Sequence, residues 1–367
     1  MDSPIPKSLQ MCLTDGSLGP AVRGCRGDFD FTLRFEHIFL SIIPSALFIA
    51  ISAYGIVRLS RSPRVVGGKL FQWIKLGVIT VYAALQLALL ILFSTTNTRS
   101  YDTAIGAAAL SVFGSTTLLA LSWAEHSRSL RPSILLTFYL TLTLLLDIVQ
   151  ARTLLIISPS WVLGRLFTAA ACLKGVILLL ENYPKTSYAF HVQPSPEASM
   201  GIFSIATYAW LGRLVVLGSQ KTLNISDLYD LDPNMASEDL DTQFWVAWNK
   251  PSSRGRKLRL AVALVRATKW QLLAPVPPRI ARTGLNFCQP FLIQSIQTHL
   301  LKPYTPELDQ QGKGLIGATV LVYLGIAMSI GIYQYYNRRA ITFLRGFLVA
   351  GIYRKTVTIE ALGACGT

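Results

Sequence analysis

Apolar residues in this chain gather into long blocks separated by short, arginine-bearing polar segments. Six blocks are long enough to cross roughly 30 Å of hydrocarbon as helices rising about 1.5 Å per residue. They are approximately Phe35–Val57, Leu70–Phe93, Thr103–Ala124, Ser133–Val149, Trp161–Leu180 and Gly314–Tyr336. A seventh, about Leu272–His299, is weaker because Pro275, Pro277, Pro278, Arg279 and Arg282 crowd its first half, which reads as interfacial or kinked. Between the fifth and the next block, residues 181–269 form a long non-spanning piece. Within it, Ile202, Ile205, Ala209, Leu211 and Val215 recur at helical spacing over Ala198–Gly218. That stretch is read as a helix lying in the membrane interface, with an eighth span as the alternative.

The polar positions between the blocks orient them. Arg58, Arg61, Arg64 and Lys69 stand without an acid, while the 1–34 tail and the loop holding Arg99 and Asp102 are neutral. Arginine and lysine are retained on the cytoplasmic side, so the N-terminus is expected outside and the C-terminus inside. The expected architecture is an all-α polytopic membrane protein. It has an outer tail (1–34), a five-span domain (35–180), a cytoplasmic linker (181–269) and a two-span unit (270–367).

Composition agrees with that layout: 51% hydrophobic residues, a mean hydropathy of +0.44 and only 14% charged residues, against roughly 25% in soluble domains. The net charge of +15 sits between apolar blocks, with no aromatic-interleaved basic patch, and so reads as topological rather than as a nucleic-acid surface. The basic run Lys250 to Lys269, after an acidic patch from Asp227 to Asp241, favours anionic lipid heads at the cytoplasmic boundary. No cleavable leader is visible in the polar first 30 residues.

Candidate chemistry is thin. Cys12 and Cys25 share the outer tail and are either a disulfide or two unrelated thiols. His37, His126, His191 and His299 are scattered without metal-ligand spacing. Asn224-Ile225-Ser226 matches a glycosylation acceptor but falls in the cytoplasmic linker, where it is expected to stay unused. Lys75, Asp147, Arg152, Arg165 and Lys174 are charges inside spans, which are costly in lipid. Lys75, Arg152 and Lys174 lie near span ends and read as snorkelling. Asp147 is expected to pair with Arg152 or with Arg165, holding helices together. Asn286, Gln289 and Gln294 need a wet or protein-lined face and are candidate lining for a substrate cavity.

Three stretches carry a likeness to a known family. One is Cys25-Arg26-Gly27-Asp28-Phe29-Asp30-Phe31-Thr32-Leu33 with Pro44-Ser45 inside the first span. Another is Glu125-His126-Ser127-Arg128-Ser129-Leu130-Arg131-Pro132-Ser133, followed by Leu145-Leu146-Asp147 and Arg152-Thr153-Leu154. The linker supplies Pro196-Glu197-Ala198-Ser199, Trp210-Leu211, Gly218-Ser219-Gln220-Lys221-Thr222-Leu223 and Asp227-Leu228-Tyr229-Asp230-Leu231. A shorter match joins Gln289-Pro290-Phe291-Leu292 with Leu344-Arg345-Gly346 and Ile352-Tyr353-Arg354-Lys355-Thr356. On these residues the chain resembles the N-terminal part of a fungal ABC transporter of subfamily C, the multidrug-resistance-associated type.

The resemblance implies an accessory five-helix domain, a lasso-like linker and the first two helices of an ABC type-1 transmembrane domain. In full-length members these precede ten further spans and two nucleotide-binding domains, so the chain is expected to be truncated before them. A phosphate-cradling loop needs Gly-x-x-x-x-Gly-Lys-Ser/Thr, and the nearest stretches, Gly67-Gly68-Lys69-Leu70 and Gly312-Lys313-Gly314, lack its first glycine and hydroxyl residue. No catalytic residue, metal or cofactor is therefore expected here. ATP and magnesium enter only if another segment or chain supplies the nucleotide-binding domains. Two functions stand: a membrane component of an efflux pump for organic anions, drugs or a fungal secondary metabolite in the plasma or vacuolar membrane, inactive alone; or an interaction module acting on another membrane protein.

Overall fold

The structure, a computed structural model, describes residues 13–19, 22, 31–61, 69–95, 102–129, 131–157, 162–183, 196–229, 235–250, 259–303 and 306–364. The Cys12–Cys25 pairing lies outside the described residues. The chain is all-α and divides into two compact units. The first is Met1–Gln193 with Ser199–Gly201 and Pro303–Gly312; the second takes Pro194–Ala198, Ile202–Lys302 and Lys313–Thr367.

In the first unit the apolar blocks form α1 (Leu33–Ser60), α2 (Lys69–Thr95), α3 (Asp102–Arg128), α4 (Ile134–Ile157) and α5 (Val162–Asn182). All five are long and apolar enough to cross a membrane. The start of α1 is widened to a π-helix over Glu36–Ile42, with the Ile43 N–H bonded to the Ile38 carbonyl. Pro44 follows at once, and a proline has no N–H with which to restore the tighter ladder. Main neighbours trace a closed ring: α1 lies between α3 and α4, α2 between α3 and α5, and α5 meets α4. Its interior is packed by Phe48, Ile79, Leu89, Leu118, Leu121, Leu136, Leu140 and Ile177.

The second unit begins with the linker. Where one interfacial helix or an eighth span was expected over Ala198–Gly218, the chain breaks into α6 (Pro196–Ser199), α7 (Ile202–Thr207), a short 3-10 turn and α8 (Gly212–Gln220). The break falls at Tyr208, whose φ of 56° is left-handed and cannot continue a helix. No piece is long enough to span. Further on, Asn224 and Asp227 cap one another around a 3-10 turn, and Lys221 bonds the Asp227 carboxylate at 2.8 Å. The Lys221 bond first, then the Asn224 N–H, holds that carboxyl below its usual range.

After α9 (Ser237–Asn249), α10 (Arg259–Ala267) and α11 (Lys269–Leu273), the chain turns at Ala274–Pro275 into α12 (Val276–Leu300). Pro277 and Pro278 fall in its first turn, where missing N–H groups cost no helical bond; the prolines therefore start this helix rather than kink it. Among the described residues six helices are long and apolar enough to span, and α12 is not one of them. α13 (Pro306–Ala364) is a single helix of 59 residues. Leu285 meets α13 at Gly325, where a Cβ would come within 2.9 Å, and the Arg279 guanidinium lies 5.3 Å from the Tyr333 ring centre. The two helices are thus antiparallel neighbours.

Candidate functional site

The interior of the five-helix ring is polar at three depths. At the end of the ring holding the α2 start and the α5 finish, Lys75 Nζ donates to Glu181 Oε2 at 2.8 Å. The two side chains are 1% and 2% exposed. Ser122 on α3 donates to the other carboxylate oxygen at 2.6 Å, so one carboxylate ties three helices. The α4 N-terminus is fixed nearby by Ser133, which accepts from the Leu136 N–H and donates to Glu125.

At mid-depth Asp147 and Lys174 form an ion pair between α4 and α5. Asp147 is roughly 20 Å along the axis from Ile134 and roughly 15 Å from Ile157, so the pair sits far from both ends. The Lys174 ammonium also lies 5.8 Å from the ring centre of Tyr82 on α2. Phe48 of α1 and Tyr139 of α4 stack at 3.8 Å beside them. At the opposite end, buried Glu36 accepts from Thr153 at 2.6 Å, Ser41 donates to Gln150 at 3.1 Å, and His37 shares a hydrogen bond with Thr103 at 3.3 Å. The widened first turn of α1 carries Glu36, His37 and Ser41.

These positions correct part of the sequence reading. The partner of Asp147 is Lys174, where Arg152 or Arg165 was expected. Arg152, five residues on, points about 140° round the helix from Asp147. Arg165 is exposed, roughly 13 Å along α5 from Lys174. Lys75 and Lys174 are buried in the ring rather than snorkelling. Glu181, Ser122 and Glu36 escaped sequence reasoning altogether, and Thr153 entered it only as part of a resemblance stretch. The available signal was depth: Lys75 and Glu181 are opposite charges at the same end of antiparallel spans.

In the second unit Glu197 of α6 accepts from Arg339 and from Tyr335, the latter at 2.7 Å. Beside it, α7 presses on α13 so closely that a Cβ at Gly331 would fall 1.9 Å from the Ala206 carbonyl oxygen. Leu240 and Phe244 of α9 pack on Phe343 and Phe347, and Arg354 bonds Asp241 at 2.8 Å. Asn286 and Gln294 are exposed on α12 and Gln289 is half-buried; none of the three lines either of the two cavities inside the five-helix ring. Among the described residues no group of His, Cys, Asp and Glu could hold a metal ion. The chemistry that these contacts show is that of helix fastening.

Comparison with known proteins bears on what such a bundle belongs to. Residues 10–161 match the ABC transporter TMD0 domain. The chain is 42% identical over 355 residues to an ABC transporter, FGM5, of Gibberella zeae, covering 94% of this chain and 24% of that protein. It is 39% identical over 352 residues to the ABC-type transporter braE of Annulohypoxylon truncatum (95% and 24%). It is 35% identical over 360 residues to the ABC multidrug transporter lscH of Purpureocillium lilacinum (96% and 23%). The chain thus spans about a quarter of the length of the relatives it matches.

Proposed function

The chain belongs to the ABC transporters that carry a TMD0 domain, and from that premise we propose that it is the membrane front section of a subfamily C efflux pump. It serves export of amphipathic organic anions, drugs or a fungal secondary metabolite. The observation that carries this reading is the reach of the likeness, 94% of the chain, which takes in the linker and α13 as well as the five-helix ring. ATP and magnesium act on nucleotide-binding domains outside these 367 residues, since no phosphate-cradling loop occurs within them. Arg58, Arg61 and Arg64 favour a cytoplasmic α1–α2 loop, with the N-terminus outside and α13 running into the cytoplasm of a plasma or vacuolar membrane. As polar side chains on α12, Asn286, Gln289 and Gln294 are our candidates for lining a transport path.

The experiment is ATP-dependent uptake of a fluorescent amphipathic anion into inside-out vesicles. The chain alone is expected to give no uptake above the ATP-free level. Co-expression with the remaining spans and nucleotide-binding domains of a relative is expected to give uptake. Lack of uptake from an assembled, ATP-hydrolysing complex across a panel of such anions would sink the proposal. A second reading, a membrane-embedded interaction module, is favoured by one observation: the five helices close a ring with a core of their own. On that reading the chain without ATPase domains still co-purifies with another membrane protein and changes its activity.

A further inference from the structure

Inside the ring lie two small cavities. One, about 20 Å³, is lined by Ser45, Tyr82, Tyr139, Asp147 and Lys174 among others. The second, about 30 Å³, reaches Glu36, His37 and Gln150. Ser41, Gln86, Ser111 and Phe167 line both, so the cavities are adjoining chambers of one track. It leads from the Glu36–His37 end of the bundle to the mid-depth ion pair. Lys75 and Glu181 line neither of these chambers.

Gln86 sits at the joint. It is 7% exposed, and its amide makes no hydrogen bond to any described residue; it opens on the chambers instead. A buried amide with no partner is strongly disfavoured, most of all in a lipid-surrounded bundle. A polar chamber larger than about 10–15 Å³ admits a water molecule, and such waters take two to four polar partners. Each chamber has that size; the first is mainly polar, and the second, though largely apolar, still offers Glu36, His37, Ser41, Gln86, Ser111 and Gln150 to a water. Neither has room for a lipid chain or an organic substrate.

We propose that the five-helix unit binds water in this track, a hydrated file that satisfies Gln86 and solvates the Lys174–Asp147 pair from one side. Water at Gln86 bridges the two chambers through both the donor and the acceptor ends of the amide. The ion pair at mid-depth is then ionic and wet on one face.

X-ray hydroxyl-radical footprinting of the chain in nanodiscs tests this, because radiolysis of bound water labels the side chains beside it. The probe is water itself. Tyr82, 4% exposed, lines the first chamber, whereas Phe347, 0% exposed, lines neither. After correction for intrinsic reactivity, Tyr82 is expected to label several-fold faster than Phe347. Equal rates would overturn the proposal, and this comparison needs no variant. Gln86→Leu adds an independent sign. In a wet track it strands the waters, slows Tyr82 labelling and lowers the unfolding temperature. In a dry track it removes an unpartnered amide and raises that temperature, which would equally overturn the proposal.

Discussion

Replacing Lys75 by methionine removes one half of the most deeply buried ion pair of the ring and leaves its volume nearly unchanged. The Lys75 and Glu181 side chains are 1% and 2% exposed and 2.8 Å apart. Glu181 then keeps the Ser122 hydroxyl on one oxygen, and the oxygen that faced Lys75 loses its ammonium. Breaking a buried pair by deleting one partner costs on the order of 3–5 kcal/mol, because the surviving charge stays desolvated. For a domain of 150–250 residues each kcal/mol lowers the unfolding temperature by about 2–4 °C, so a fall of roughly 6–20 °C is expected.

The assay is thermal unfolding of the purified chain in a fixed detergent, with Lys75→Met, Glu181→Gln and the double variant compared as a cycle. The double variant carries no unpaired charge and is expected to recover most of the loss. Additive losses in the double variant, or a Lys75→Met protein as stable as the parent, would refute the reasoning. Either result would mean that the pair is held by its surroundings and contributes no fastening of its own.

Lys174→Met should destabilise the ring by a similar order, about 3–5 kcal/mol, while Arg165→Gln, on an exposed residue, should stay within about 0.5 kcal/mol; the same melting assay reads both. Gly331→Val should push α7 off α13, because its Cβ would lie 1.9 Å from the Ala206 carbonyl oxygen, and faster amide exchange over Ile202–Thr207 is the readout. The Asp227 carboxyl is held low by Lys221 and the Asn224 N–H. Its capping contribution is therefore full above the free-carboxylate value near about 4 and is lost as pH falls through the lower folded value. Protection of the Asn224 amide should fade in that acid window, and Asp227→Asn should abolish the dependence.

The spans were legible because apolar blocks of membrane length have few alternative readings: Leu70–Phe93 was expected and Lys69–Thr95 is the helix. The fastening was less legible. Lys75 and Glu181 are 106 residues apart, and an isolated lysine near a span end reads as snorkelling. Asp147 suggested Arg152 because it is near in sequence, yet helical geometry turns the fifth residue away, and the partner comes from the next helix. The linker defeated periodicity for a local reason. Apolar spacing over Ile202–Val215 is helical on paper, but Tyr208 adopts a left-handed conformation that no pattern of hydrophobicity encodes. Gln86 gave no signal at all, since one amide in an apolar block has meaning only once the ring closes around it.

Why the ring needs so many polar bonds follows from its solvent. Lipid tails are as apolar as leucine, so apolar stripes alone give helices little reason to associate there, and close packing with interhelical hydrogen bonds must do it instead. The contacts of the ring follow that division. The α1–α4 junction, which closes the ring, carries Glu36–Thr153 and Ser41–Gln150, and α1–α3 carries His37–Thr103. The α2–α5 junction carries Lys75–Glu181, and α4–α5 carries Asp147–Lys174. α3 also brings small buried residues, Ala104, Ala107 and Ala108, into the ring, where close approach can serve in place of a bond. A ring fastened at fixed points resists sliding of its helices more than an apolar bundle would. That rigidity is the property its buried charges supply.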